Sequence, residues 1–195
     1  MRLCVFCGSS PGNGDQYLAG ARGLGRALTQ RGIGLVYGGA SVGCMGSLAD
    51  AVLQGGGEVI GVIPRVLVER EIAHRGLTEL RVVETLHERK ALMAELADGF
   101  IALPGGAGTL DELFEAWTWG QLGLHRKPVG LLNVAGYFDA LTAFLDHARH
   151  AGFLNAEHRA MLVMESDPQA LLSRFADYQP PTRSKWTGAS PSGER

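Results

Sequence analysis

The chain has 195 residues, a length that fits a single domain. Charged residues are 19% and hydrophobic ones 46%, which excludes an intrinsically disordered body. Lys and Arg total 18 against 20 Asp and Glu, so no basic footprint exists for nucleic acid or for an anionic membrane.

The first apolar run, Leu3–Phe6, reads as a strand. Only five apolar or Cys residues separate Arg2 from Gly8, too few for the core of a secretory signal. No later run approaches the ~18 apolar residues of a membrane span, so the expectation is a cytoplasmic protein. Cys4 and Cys7 form a C-x-x-C, but side chains three apart on a strand point to opposite faces. They are expected to be buried thiols, not a disulfide or a metal pair.

Helical periodicity follows over Asp15–Gln30, with Asp15 as a candidate N-cap and Arg31-Gly32 as its end. Gly20, Gly23 and Gly25 interrupt this helix, and close packing on a sheet is the expected reason. Next come a strand at Gly34–Tyr37, a helix at Cys44–Gln54 and strands at Glu58–Ile63 and Leu80–Val83. A helix over Leu86–Ala97 leads to a strand at Phe100–Leu103. A helix over Thr109–Gln121, with Thr109 as N-cap, precedes a strand at Val129–Leu132. The last elements are a helix over Tyr137–Ala151, a strand at Met161–Met164 and a helix over Pro168–Phe175 that opens behind Asp167. Continuous apolar strands alternating with helices predict an α/β fold. Its central sheet has about seven mostly parallel strands, covered by helices on both faces. Composition turns to Pro, Ser and Thr after Tyr178, so residues 1–178 read as the domain and 179–195 as a flexible tail.

Glycine is unusually frequent, with 28 residues. Many fall where strands end and helices begin: Cys7-Gly8-Ser9-Ser10-Pro11-Gly12, Tyr37-Gly38-Gly39 on to Gly46, and Leu103-Pro104-Gly105-Gly106-Ala107-Gly108-Thr109. Ligands of an open parallel sheet sit beyond these carboxyl ends. Glycines there let backbone N–H groups approach an anion, and a helix start adds partial positive charge. Three such loops on one edge point to a phosphate-containing ligand. The chain has neither G-x-x-x-x-G-K-[ST] nor a G-x-G-x-x-G after its first strand, so neither a P-loop NTPase nor a standard dinucleotide site is expected.

Thr109-Leu110-Asp111-Glu112 matches a capping box, which would engage Glu112 with the backbone of Thr109. The same carboxylate would also lie beside any phosphate or ribose held by the loop. Arg89 and Lys90 stand at a helix start, where the dipole disfavours cations, and so require an anionic partner. A nucleotide is one candidate. His87, His125, His147 and His150 lack the spacing of a metal set.

Together these residues resemble the Lonely Guy family of cytokinin riboside 5′-monophosphate phosphoribohydrolases, also labelled lysine decarboxylase-like. The hallmark P-G-G-x-G-T-x-x-E is present as Pro104 to Glu112, preceded by Arg89-Lys90. Further similar stretches run from Cys7-Gly8-Ser9-Ser10 to Lys127-Pro128-Val129-Gly130-Leu131-Leu132-Asn133, so the resemblance covers roughly Leu3 to Phe175. The family's usual Met before H-E-R-K is Leu86 here, a swap of similar volume.

The resemblance implies a Rossmann-like fold, a homodimer, and hydrolysis of a nucleoside 5′-monophosphate to free base and ribose 5-phosphate without metal or cofactor. It implies catalytic roles for Arg89 and Glu112. Substrate contacts are expected at Ser9 and Gly39, at Glu71, Lys90 and Thr118, and along Gly105, Gly106, Ala107, Gly108, Thr109, Leu110 and Asp111. Helix Thr109–Gln121, with Trp117 and Trp119, is expected to form part of the dimer interface.

Cleaving an N-glycosidic bond passes through an oxocarbenium-like state, by analogy with glycosidases. Glu112 can stabilise that charge or activate water. Arg89 stays protonated and is suited to holding phosphate or ribose and orienting Glu112. Glu115, one turn on, is a further candidate. The alternatives are a non-catalytic nucleotide-binding or carrier protein on the same fold, and a pyridoxal decarboxylase. The second needs a Schiff-base lysine from among Lys90, Lys127 and Lys185.

Overall fold

The structure is a computed structural model that describes residues 1–68 and 72–181. Its strands are β1 (Arg2–Phe6), β2 (Gly34–Tyr37), β3 (Val59–Pro64), β4 (Glu79–Val83), β5 (Gly99–Ala102), β6 (Val129–Leu132) and β7 (Leu162–Glu165). They form one sheet in the order β4-β3-β2-β1-β5-β6-β7, with every pair parallel. The predicted strands are found within a residue or so. A strand covered on both faces has no polar side and so stands out as an apolar run.

The helices are α1 (Asp15–Gln30), α2 (Gly43–Gln54), α3 (Arg65–Val68), α4 (Leu86–Leu96), α5 (Ala107–Gln121), α6 (Asp139–His150), α7 (Ala156–Ala160) and α8 (Pro168–Ala176). One core cluster joins Leu24 and Leu28 of α1, Leu48 of α2 and Leu171 of α8 to Leu3 and Val5 of β1. The other joins Met93 of α4, Leu113 and Trp117 of α5 and Leu145 of α6 to Cys4 and Phe6 of the same strand. The side-chain alternation of β1 thus feeds two helical layers.

Several local expectations are corrected. Asp15 is the first residue of α1, behind Gly14 at the N-cap. The α5 N-cap is Gly106, so Thr109 lies inside the helix as its third residue. A 3₁₀ turn at Val134–Gly136 precedes α6, and Tyr137 lies between them rather than opening the helix. The glycines of α1 pack on helix and turn, not on the sheet. A Cβ at Gly25 would stand 2.8 Å from the Ala51 Cβ of α2, and one at Gly20 would stand 2.6 Å from Val134. At Gly23 the nearest neighbour is Pro168 at 4.0 Å, and nothing there demands glycine. Trp117 is a core residue whose Nε1 donates to the His158 carbonyl at 3.1 Å, which removes it from the expected interface. The predicted tail from 182 onward lies outside the described residues.

The strand order reverses its direction of growth between β1 and β5. Such a switch point opens a crevice at the carboxyl edge of the sheet. The loop after β1 and the loop after β5 are the two that border it.

Candidate active site

The three glycine-rich strand ends converge at this edge. Gly8 N donates to the Pro104 carbonyl at 3.1 Å, joining the loops after β1 and β5. Met45 N donates to the Gly8 carbonyl at 3.3 Å, bringing in the start of α2. A cavity of about 290 Å³ lies over this junction, with Ser9, Tyr17, Cys44, Gly105 and Tyr137 in its walls.

The start of α5 carries the clearest signature. Gly105 is required by packing: a Cβ there would meet Thr109 Oγ1 and lie 2.8 Å from Gly8 N. Gly106 and Gly108 differ, because a Cβ on either would meet nothing within 4 Å. The protein's own packing gives no reason for glycine at these two positions. Close approach of a ligand to the backbone does. No side chain caps α5, so its first N–H groups face an exposed surface formed by Gly106, Ala107 and Gly108.

In the next turn of α5, Glu112 Oε1 lies 3.2 Å from Arg89 Nη2 of α4, with the two side chains only 11% and 9% exposed. Burial lifts the Glu112 carboxyl above its ordinary value, and the Arg89 charge pulls part of that shift back. Arg89 Nε is buried without a hydrogen-bond partner. An orphaned buried donor costs about 1–3 kcal/mol, a cost typically retained at sites of function. Gly38 at the end of β2 makes room for this guanidinium, which would collide with any Cβ there.

Lys90 pairs with Glu115 at 2.9 Å and Asp111 at 3.1 Å, and these contacts raise its pKa despite partial burial. The anionic partners that Arg89 and Lys90 require are therefore carboxylates of α5, not only a nucleotide. The helix α4 starts with a capping box: Glu88 N donates to Thr85 Oγ1 at 3.1 Å, and Thr85 N donates to Glu88 Oε2 at 3.4 Å. Glu112 takes no part in the box expected of Thr109. Its carboxylate is left to Arg89.

Other predicted contacts are dispersed. Ser9 is exposed in the cavity wall, and Thr118 is exposed farther along α5. Leu110 packs against the core, while Asp111 is exposed and tied to Lys90. Gly39 is buried, and a Cβ on it would press on Ile63 at 3.1 Å. Glu71 lies outside the described residues. Tyr17 and Tyr137 were not anticipated as cavity residues. The Ala135-Gly136 turn at a strand's carboxyl end was the available signal for Tyr137.

Among the described residues no group of three His, Cys, Asp or Glu side chains is placed to hold a metal ion. No helix among them is long and apolar enough to cross a membrane.

The family described as "Possible lysine decarboxylase" matches residues 45–175. A probable cytokinin riboside 5′-monophosphate phosphoribohydrolase of Oryza sativa subsp. japonica, LOGL5, is 52% identical over 92% of this chain and 73% of its own. The cytokinin riboside 5′-monophosphate phosphoribohydrolase LOG1 of Arabidopsis thaliana is 50% identical over 92% of this chain and 84% of its own. The chain belongs to the Lonely Guy family. The fold is shared more widely. A molybdenum cofactor carrier protein from Chlamydomonas reinhardtii superposes with a TM-score of 0.69 at 22% identity, covering 91% of this chain and 98% of that one. A molybdenum cofactor binding protein from Rippkaea orientalis gives 0.68 at 22% identity, with 90% and 95% covered.

The decarboxylase label of the Lonely Guy family does not fit the lysines among the described residues. A Schiff-base lysine must readily lose its proton. Lys90 is held protonated by two carboxylates, and Lys127 Nζ donates to the Ala94 carbonyl at 2.7 Å. Neither is poised to carry pyridoxal, and Lys185 lies outside the described residues.

Proposed function

We propose that this protein hydrolyses the N-glycosidic bond of a purine nucleoside 5′-monophosphate, with adenine or a prenylated cytokinin base, to free base and ribose 5-phosphate. The observation that carries the reading is the buried Arg89–Glu112 pair, whose Glu112 stands in the second turn of α5, just past its open, uncapped start. Curated relatives about half identical over nearly the whole chain carry the same activity in their names.

The 5′-phosphate rests on the N–H groups from Gly106 to Thr109. Holding the phosphate there fixes the ribose against Glu112, so remote binding energy orients the reacting carbon. The Glu112 carboxylate accepts a proton from the attacking water and faces the positive charge that develops on the ribose. Burial makes it a stronger base than an exposed carboxylate. Arg89 holds Glu112 in place and orients its carboxylate, and its positive charge attracts the phosphate and ribose oxygens of the substrate. The C1′–N bond breaks as water adds at C1′, and the proton that Glu112 takes from this water passes on to the leaving base, which restores the carboxylate. Lys90, Ser9, Gly39, Glu71, Gly105, Leu110, Asp111 and Thr118 complete the proposed substrate contacts, with no metal or cofactor. A pure carrier gains little from a buried acid beside a phosphate, so catalysis is favoured over the binding-only alternative.

On this reading residues 1–178 work as one domain within a cytoplasmic homodimer. The free thiols Cys4, Cys7 and Cys44 suit a reducing compartment. The exposed apolar side chains of Val82 and Leu86 supply surface for a second copy. Purified protein given AMP or isopentenyladenosine monophosphate should release base and ribose 5-phosphate. Binding of either nucleotide without release would establish the carrier alternative instead.

A further inference from the structure

Tyr137 belongs to none of the glycine loops or charged pairs, yet it reaches the loop beneath the proposed phosphate site. Its hydroxyl donates to the Gly105 carbonyl at 2.6 Å. No cis peptide occurs among the described residues, so the C=O and N–H of the Gly105–Gly106 peptide point in opposite directions. A carbonyl drawn toward Tyr137 therefore turns the Gly106 N–H to the other side. Glycine on both sides leaves this peptide unusually free to rotate, and no side-chain cap restrains it. The Tyr137 hydroxyl supplies a restraint.

The delivery of Tyr137 is a second, independent observation. Ala135 has φ of 52° and is the one non-glycine residue with positive φ among those described. Gly136 follows with φ of 72°. Strain of this kind persists where surrounding structure over-determines it, often at functional sites. Here Asn133 Oδ1 accepts from Phe138 N at 2.8 Å, Asn133 Nδ2 donates to Asp139 at 2.7 Å, and Val134 occupies the space a side chain at Gly20 would need. Tyr17 packs edge-on to the Tyr137 ring at 5.8 Å. Despite this clamping Tyr137 remains 43% exposed, so core burial does not explain the strained turn.

We infer that Tyr137 is a positioning residue: by holding the Gly105 carbonyl it presets the Gly106 N–H and the first amides of α5 for the substrate's 5′-phosphate. The inference rests on the function proposed above.

The test is Tyr137→Phe, which keeps the ring and removes the donor. KM for AMP, the inhibition constant of ribose 5-phosphate and its calorimetric Kd should all rise by a common factor of about two to ten, the worth of one neutral hydrogen bond. The inhibition constant of free adenine should stay within about twofold, and kcat should fall by no more than KM rises, a split that general loosening of the fold would not give. Unchanged ribose 5-phosphate affinity overturns the inference, as does a fall confined to kcat and melting temperature. Weakened ribose 5-phosphate binding in a protein that hydrolyses neither AMP nor isopentenyladenosine monophosphate would leave the positioning role standing and remove the proposed hydrolysis. Wild-type protein that binds no ribose 5-phosphate overturns both.

Discussion

Arg89 reaches from the start of α4 to Glu112 in the second turn of α5, leaving 3.2 Å between guanidinium nitrogen and carboxylate oxygen. Burial raises the Glu112 pKa and Arg89 lowers it, so the pair sets the pH at which the carboxylate becomes available. On the proposed mechanism Glu112 must be ionised to act, and activity should be lost as pH falls through its pKa. The acid limb of the kcat/KM profile should therefore lie above the ordinary carboxylate value of 4.5. Arg89→Ala removes the opposing charge, so the residual activity should show that limb displaced further upward. Glu112→Gln should reduce kcat by about 10²–10⁴-fold, the usual range for a positioned acid or base. An acid limb that moves down in Arg89→Ala would refute this account of the pair.

Gly38 controls the same pair from the opposite wall. A Cβ there would collide with the Arg89 guanidinium while standing 3.2 Å from the Met45 sulfur. The first neighbour is the far end of a flexible side chain, so the fold can yield by moving Arg89. Gly38→Ala should leave the melting temperature nearly unchanged. It should lower kcat/KM by roughly 10²-fold, because a displacement of about 1 Å in a catalytic group can cost that much. A matched loss of stability and activity would show that Gly38 serves folding instead.

The distribution of these features explains what was legible in the sequence. Strands β1 to β7 were visible because both faces of each interior strand are apolar, and the glycine loops were visible because they are contiguous. The requirement of Arg89 and Lys90 for an anionic partner followed from the helix dipole. The partners themselves, Glu112, Glu115 and Asp111, stand on another helix more than twenty positions away and left no local trace. Tyr137 was hidden for the same reason, since its partner is separated from it by 32 positions. The T-x-x-E pattern shows the limit most clearly. It occurs at Thr85–Glu88, where the box forms, and at Thr109–Glu112, where it does not. The second fails because α5 already begins behind Gly106, placing Thr109 under Gly105 rather than at a helix end.

That contrast gives a stability prediction. Thr85 accepts from Glu88 N, and its loss leaves an N-terminal donor of α4 without its partner. Thr85→Ala should destabilise the protein by about 1 kcal/mol in chemical denaturation. Because α4 carries Arg89 and Lys90, a modest rise in KM should accompany it. Thr85→Ser keeps the hydroxyl and should restore both. Equal destabilisation by Ser and Ala would locate the effect in the lost methyl group and not in the cap.

The thiols offer the last prediction, and it follows from the sheet. Cys4 packs with the α4–α5–α6 layer and Cys7 with the α1–α2–α8 layer, so the C-x-x-C spacing separates the two across the sheet. Both are buried, and burial pushes their pKa well above the usual thiol range. The thiolate is the reacting form, so neither sulfur should react at neutral pH. Cys44 lines the cavity beside Gly8 and Ser9 but is only 2% exposed, with its pKa also raised by burial. Native protein should therefore yield at most one titratable thiol, slowly and from Cys44, while denatured protein yields all three. Reductant should not shift the melting temperature. Rapid native titration of two thiols, or their joint loss on mild oxidation, would mean that β1 does not hold Cys4 and Cys7 on opposite faces.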